Sequence, residues 1–136
     1  IQIMAGFNWN EFYTLFKVKL EKAIECTVGR YVTPKESQFP YVDVALEDNS
    51  GGNYNLTGAE GSQNPLLVIT VYDTGSLADA ACESISQAAK SIMLSYGFQC
   101  RGGPAPVVNV ADPNICRWVG RYQRIFGNDE ILTQLH

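Results

Sequence analysis

The chain has 136 residues, 46% of them hydrophobic and 18% charged, with a net charge of −4 at pH 7. That length supports one domain, residues 1–136, whose core is large enough to fold without disulfides or metals. The composition excludes a disordered chain, and the acid excess excludes bulk binding to phosphate backbones.

No apolar run approaches the roughly 20 residues that cross a bilayer, so no membrane partner is expected. The four cysteines, Cys26, Cys82, Cys100 and Cys116, show no C-x-x-C spacing, and the single histidine is His136. They read as free thiols of a reducing compartment rather than zinc ligands. A Ser-His or Cys-His nucleophile would have to recruit the last residue of the chain. The carboxylates Asp43, Glu47, Asp73 and Asp79 are scattered, so a small hydrolase or transferase finds little support. No catalytic residue, cofactor or metal is expected. Met4 reads as a natural start, which makes Ile1-Gln2-Ile3 residues added ahead of it.

In chain order, Asn8 with Glu11 three residues later predicts a capped helix start, and Phe7 before the cap is placed to staple onto Phe12. Phe12, Leu15, Phe16, Leu20, Ala23 and Ile24 continue at helical spacing, and the helix is expected to stop near Gly29. Trp9 and Tyr13 lie off that stripe and read as partly buried against the sheet. Tyr41 to Asp48 alternates Val42, Val44 and Leu46 with a wetter face, which predicts a strand.

Asp48 to Asn64 is rich in Gly, Asn and Ser and reads as one long mobile loop that orders against a partner. It lacks the spacing of a calcium loop, and no helix start follows its glycines to make a phosphate cradle.

Leu66 to Asp73 is dense in β-branched and aromatic residues and predicts a central strand, with Leu67, Ile69 and Val71 on one face. From Leu77 the apolar period lengthens. Leu77, Ala81, Ile85, Ala88, Ala89, Ile92, Met93 and Tyr96 then predict a second helix that ends on a left-handed Gly97. Phe98 to Cys100 begins a further extended piece, which Pro104 and Pro106 confine to an edge or a bulge.

Ile115 to Gly127 predicts the last strand. Arg117, Arg121 and Arg124 with Trp118 and Tyr122 form its aromatic and basic cluster, a candidate interface because arginine and aromatics are favoured there. Charged decoration of a sheet and a nucleic-acid surface are the competing readings of that cluster. The expected fold is α+β, a mainly antiparallel sheet of about four strands with two helices on one face.

The succession of an N-terminal helix, Tyr41 to Asp48, the loop running into Leu66 to Asp73, the helix closing on Gly97-Phe98, and Asp112, Ile115 and Arg117 leading into the last strand resembles small tail-terminator or tail-completion proteins of long-tailed bacteriophages. Proteins of this broad group are also described as minor capsid or head-tail joining proteins. The resemblance spans about Phe7 to Asp129 and rests on order and spacing. It implies a viral structural protein of the virion, assembled in the host cytoplasm into a ring, typically a hexamer, that caps the tail tube. Its implied partners are itself, the tail-tube protein and a head connector or stopper protein, and DNA would pass through the channel without specific binding.

A ring needs two unlike patches on each subunit. The arginine and aromatic strand is one candidate, and the long loop, with Asn53, Tyr54, Asn55 and Glu60, is the other. A head-completion or stopper protein, a tail-tube-related subunit and a monomeric binding module are the alternative readings.

Overall fold

The structure is a computed structural model and describes residues 8–31, 38–51, 62–108, 114–124 and 126–127. Its elements run α1 (Trp9–Ala23), β1 (Thr27–Gly29), β2 (Tyr41–Gly51), β3 (Ser62–Thr74), α2 (Ala78–Ser95), β4 (Gln99–Pro106), β5 (Ile115–Gln123) and β6 (Phe126–Gly127). The fold is α+β. The strands form one sheet in the order β1-β2-β3-β5-β4, and β6 pairs with β3 beyond the end of β5. All pairings are antiparallel except β1 with β2.

β3 is central, as its composition predicts, and β4, to which α2 connects it, is separated from it by β5. α2 packs on β3, β5 and β4, while α1 packs on β1 and α2. Both helices close over one core that takes in Val42, Val44, Leu67, Ile69, Val71, Trp118 and Tyr122 from the sheet.

The α1 cap forms as expected, with the Glu11 amide donating to Asn8 Oδ1 at 2.9 Å. The helix buries Phe12, Phe16 and Leu20 and ends at Ala23, earlier than Gly29. The residues left over make β1, which sequence periodicity does not reveal because it is only three residues long. Its outer edge is not left open. The Val28 amide donates to Glu21 Oε2 at 3.1 Å, and Lys17 Nζ donates to the Val28 carbonyl at 2.9 Å. An i,i+4 pair on α1 thereby satisfies the backbone groups that an edge strand exposes.

At the opposite edge, β4 carries Pro104 and Pro106 and two register shifts. Proline has no amide to offer another strand. The β4 edge is blunted by proline and the short β1 edge by side chains of α1, while beyond Asp43 the outer side of β2 meets Tyr31, whose hydroxyl accepts from the Leu46 amide at 2.8 Å.

Three expectations are corrected. Asp48 to Asn64 is not one loop, because β2 continues to Gly51 and β3 begins at Ser62, with Ser50 opposite Asn64. A bulge between Leu46 and Asp48 accommodates this, so turn-forming residues sit within a ladder. Asn53, Tyr54, Asn55 and Glu60 lie outside the described residues.

The second correction concerns the α2 stripe. Leu77 is the N-cap and is 77% exposed, whereas Cys82 and Ser86 are buried beside Ile85, Ala89 and Met93. The inward face is rotated toward small and weakly polar residues that pack closely on the sheet. Third, Ile115 to Gly127 is two strands, β5 and β6. Gly97 does close α2 in the left-handed region, at φ 83°.

Asp79, in the first turn of α2, accepts from the Trp118 indole N–H at 2.9 Å and so ties the helix to β5. Asp79→Ala leaves that partly buried donor without its acceptor and is expected to cost about 1–3 kcal/mol. Asp79→Asn keeps an acceptor and should recover most of the loss. Chemical denaturation of the two variants checks this.

Candidate interaction face

Alternation along the strands divides the sheet into a helix-covered face and a second face over which no described helix packs. Backbone register orders the second face in rows across β2, β3 and β5. Tyr41, Tyr72 and Arg117 form the first row, and Asp43, Thr70 and Val119 the second. Ala45, Val68 and Arg121 form the third, and Asp48, Leu66 and Gln123 the fourth.

The acids belong to β2, where Glu47 joins them in the bulge, and the bases belong to β5, with Arg101 in the adjacent bulge of β4. Between these flanks runs the stripe Leu66, Val68, Thr70 and Tyr72 of β3. Leu66, Val68 and Tyr72 are half-buried, and Thr70 is more deeply covered. The face therefore has an acidic flank, a mostly apolar centre and a basic flank. Tyr41 packs tightly at its border, the side chain lying against Gly29 where a Cβ would collide with its hydroxyl. Burial first, then the charge of Asp43, raises the Tyr41 hydroxyl above its ordinary value.

The five candidate residues of the last strand separate in space. Arg117 and Arg121 lie on this face. Trp118 (8% exposed) and Tyr122 (1% exposed) point the other way into the core, so they do not offer a surface. Strand alternation accounts for the separation, since residues 118 and 122 share the face opposite 117 and 121. Gly120 lies between the two aromatics, with the Tyr122 ring folded across it.

Arg124 follows β5, and its guanidinium donates to the carbonyl of Tyr96 at the C-terminal end of α2. It acts as a cap on an orphan helix carbonyl rather than as a contact residue. Burial lowers its pKa from the ordinary value. Arg117 Nη2 donates to the Val108 carbonyl at 3.5 Å, which leans its side chain toward the end of β4.

A second basic and aromatic cluster is not apparent from the sequence. The Arg30 guanidinium lies 4.3 Å from the Tyr13 ring centroid and 5.7 Å from that of Trp9. Its Nη2 donates to Asn10 Oδ1 at 2.6 Å. This cation–π stack holds the segment after β1 against α1 and explains the off-stripe aromatics. The signal was a spacing of about 20 residues, beyond the reach of local periodicity.

A cavity of about 610 Å³ opens where β4, β5 and the N-terminus of α2 meet, lined by Ala78, Asp79, Val107, Val108, Ile115 and Cys116 among others.

Among the described residues no group of three or more His, Cys, Asp or Glu is placed to hold a metal. Cys26 and Cys82 are poor nucleophiles. Burial and then Glu21 push Cys26 up to about 11, and burial, then the neighbouring Cys116, raises Cys82 further. No described helix is long and apolar enough to cross a membrane. Neither a protein-family model nor a curated protein matches the chain.

Proposed function

We propose that the protein is a structural subunit of a long-tailed phage virion that assembles as a ring, with six copies as the expected number, at the head-proximal end of the tail. There it ends tube growth and presents a surface to the head connector. The observation that supports this reading is the second sheet face, which carries an acidic and a basic flank.

A closed ring requires head-to-tail contacts between unlike patches of identical subunits. One flank of each sign on every copy meets that requirement. A net charge of −4 also suits a channel through which DNA slides without sticking.

The test is recruitment. Purified tail tubes lacking their cap are incubated with the protein and imaged by negative stain. The expected result is a ring of about six copies at one end of each tube, and capped tubes that no longer elongate. Tubes that stay bare while purified head connectors bind would move the protein to the head side of the junction. Failure to bind either would remove the reading.

A further inference from the structure

The charge order on the second face has a symmetry that a ring does not need. Acids on β2 and bases on β5 stand on opposite sides of the β3 stripe. Turning a second copy over about an axis parallel to the strands lays β3 on β3 and puts each basic flank on an acidic one. The rows then interleave. Arg117 and Arg121 occupy the first and third rows, and Asp43 and Asp48 the second and fourth. With rows about 6.8 Å apart along the strands, Arg121 falls between Asp43 and Asp48 of the other copy, and Arg117 falls beside Asp43. The reciprocal contacts form at the same time. A turn about the perpendicular in-plane axis would set acid on acid, so the charges choose one orientation.

We propose that the free protein is a two-fold pair of identical chains joined through this face. Leu66, Val68 and Tyr72 of the two copies stack at its centre, and the arginine and carboxylate flanks pair at both sides. The pairing rests on the ring reading only in sharing its assembly face, and it adds regulation. A copy paired in this way cannot present the same face to a ring neighbour, so assembly on a tail has to exchange one contact for the other.

The size of the face sets the strength. Three strands and part of a fourth, about 4.8 Å apart with about 3.4 Å per residue, give a patch of about 15 by 30 Å. That is smaller than the roughly 800 Å² per partner of a standard interface. The pair is therefore weak enough to exchange and sensitive to salt, because exposed charges are screened within about a Debye length.

The experiment is sedimentation equilibrium over a wide concentration range in low and high salt, with far-UV melting to check folding. The wild type should reach twice the monomer mass in low salt and fall to monomer in about 0.5 M salt, where the Debye length is only a few ångströms. Arg117→Glu with Arg121→Glu should remain monomeric and folded, as should Asp43→Lys with Asp48→Lys. Mixing the two folded variants should restore a mass of two, because each now supplies the sign the other lacks.

A wild type that stays monomeric in low salt overturns the proposal. So does a dimer untouched by both charge reversals, and so does a mixture that fails to pair. If the double-aspartate variant does not fold, the arginine variant and the salt series decide alone. Tail capping is scored separately. A monomeric protein that still caps tails removes the pair and leaves the ring, whereas a pair that never caps tails removes the ring and leaves the pair.

Discussion

Ile85→Asp should produce a protein with no cooperative unfolding transition. Ile85 is 2% exposed and faces the sheet from the middle of α2, beside Cys82 and Ala89. Deleting its aliphatic bulk alone costs about 2–5 kcal/mol, and a carboxylate in its place adds the desolvation of a charge or the work of protonating it. The sum rivals the roughly 5–15 kcal/mol that holds a whole domain together.

Leu77→Asp, eight residues earlier, 77% exposed and at the uncapped N-cap, should keep the cooperative fold and add about 1 kcal/mol if the carboxylate caps the helix. Both leucine and isoleucine belong to the apolar stripe read from the sequence, so the two substitutions together measure which way α2 is rotated. Circular dichroism melting of each is sufficient. A cooperative Ile85→Asp variant would mean that the helix turns another face to the sheet.

The rotation of α2 shows where sequence reading stops. Period identifies the helix and its end at Gly97, because the apolar residues repeat every 3.6 positions and glycine alone is at ease at φ 83°. The choice among Leu77, Cys82 and Ser86 for the inward face depends on how near the sheet lies, and small side chains win there. That is a tertiary fact.

The last strand gives a similar lesson. Arg117, Trp118, Arg121 and Tyr122 form one cluster when written as text. A period of two then sends the arginines to one face and the aromatics to the core. Alternation was legible, but which face the helices cover was not. The acidic flank is not legible in the sequence because Asp43 and Asp48 gain meaning only beside β5, about 75 residues away in sequence, through the β3 register. Local pattern likewise misjudges Asp48 to Gly51, where Asn, Ser and Gly resemble a loop but continue a ladder.

Phe12→Ala should be the most costly simple truncation in α1. Phe12 has no exposed surface, and its ring meets Tyr96 edge-on at 5.4 Å, Phe98 at 5.2 Å and Phe16 at 6.2 Å between centroids. These contacts join the first helix to the end of the second and to the entry of β4, so one side chain links three segments. Removing a buried phenyl ring costs about 3–5 kcal/mol through lost transfer energy and the cavity left behind, and aromatic pairs add about 0.5–1.5 kcal/mol each beyond their area.

At about 2–4 °C per kcal/mol for a domain near this size, the melting temperature should fall by about 10 °C or more. Phe12→Leu fills most of the volume and should cost less than half as much, leaving mainly the edge-on contacts unreplaced. Tyr96 and Phe98 flank the end of α2 that Arg124 caps, so the loss should loosen that end first. Hydrogen exchange would then quicken at the amides of Tyr96, Gly97 and Phe98 before it quickens in β3. Equal quickening throughout would show that the aromatic cluster supports the whole domain rather than the junction of its two helices.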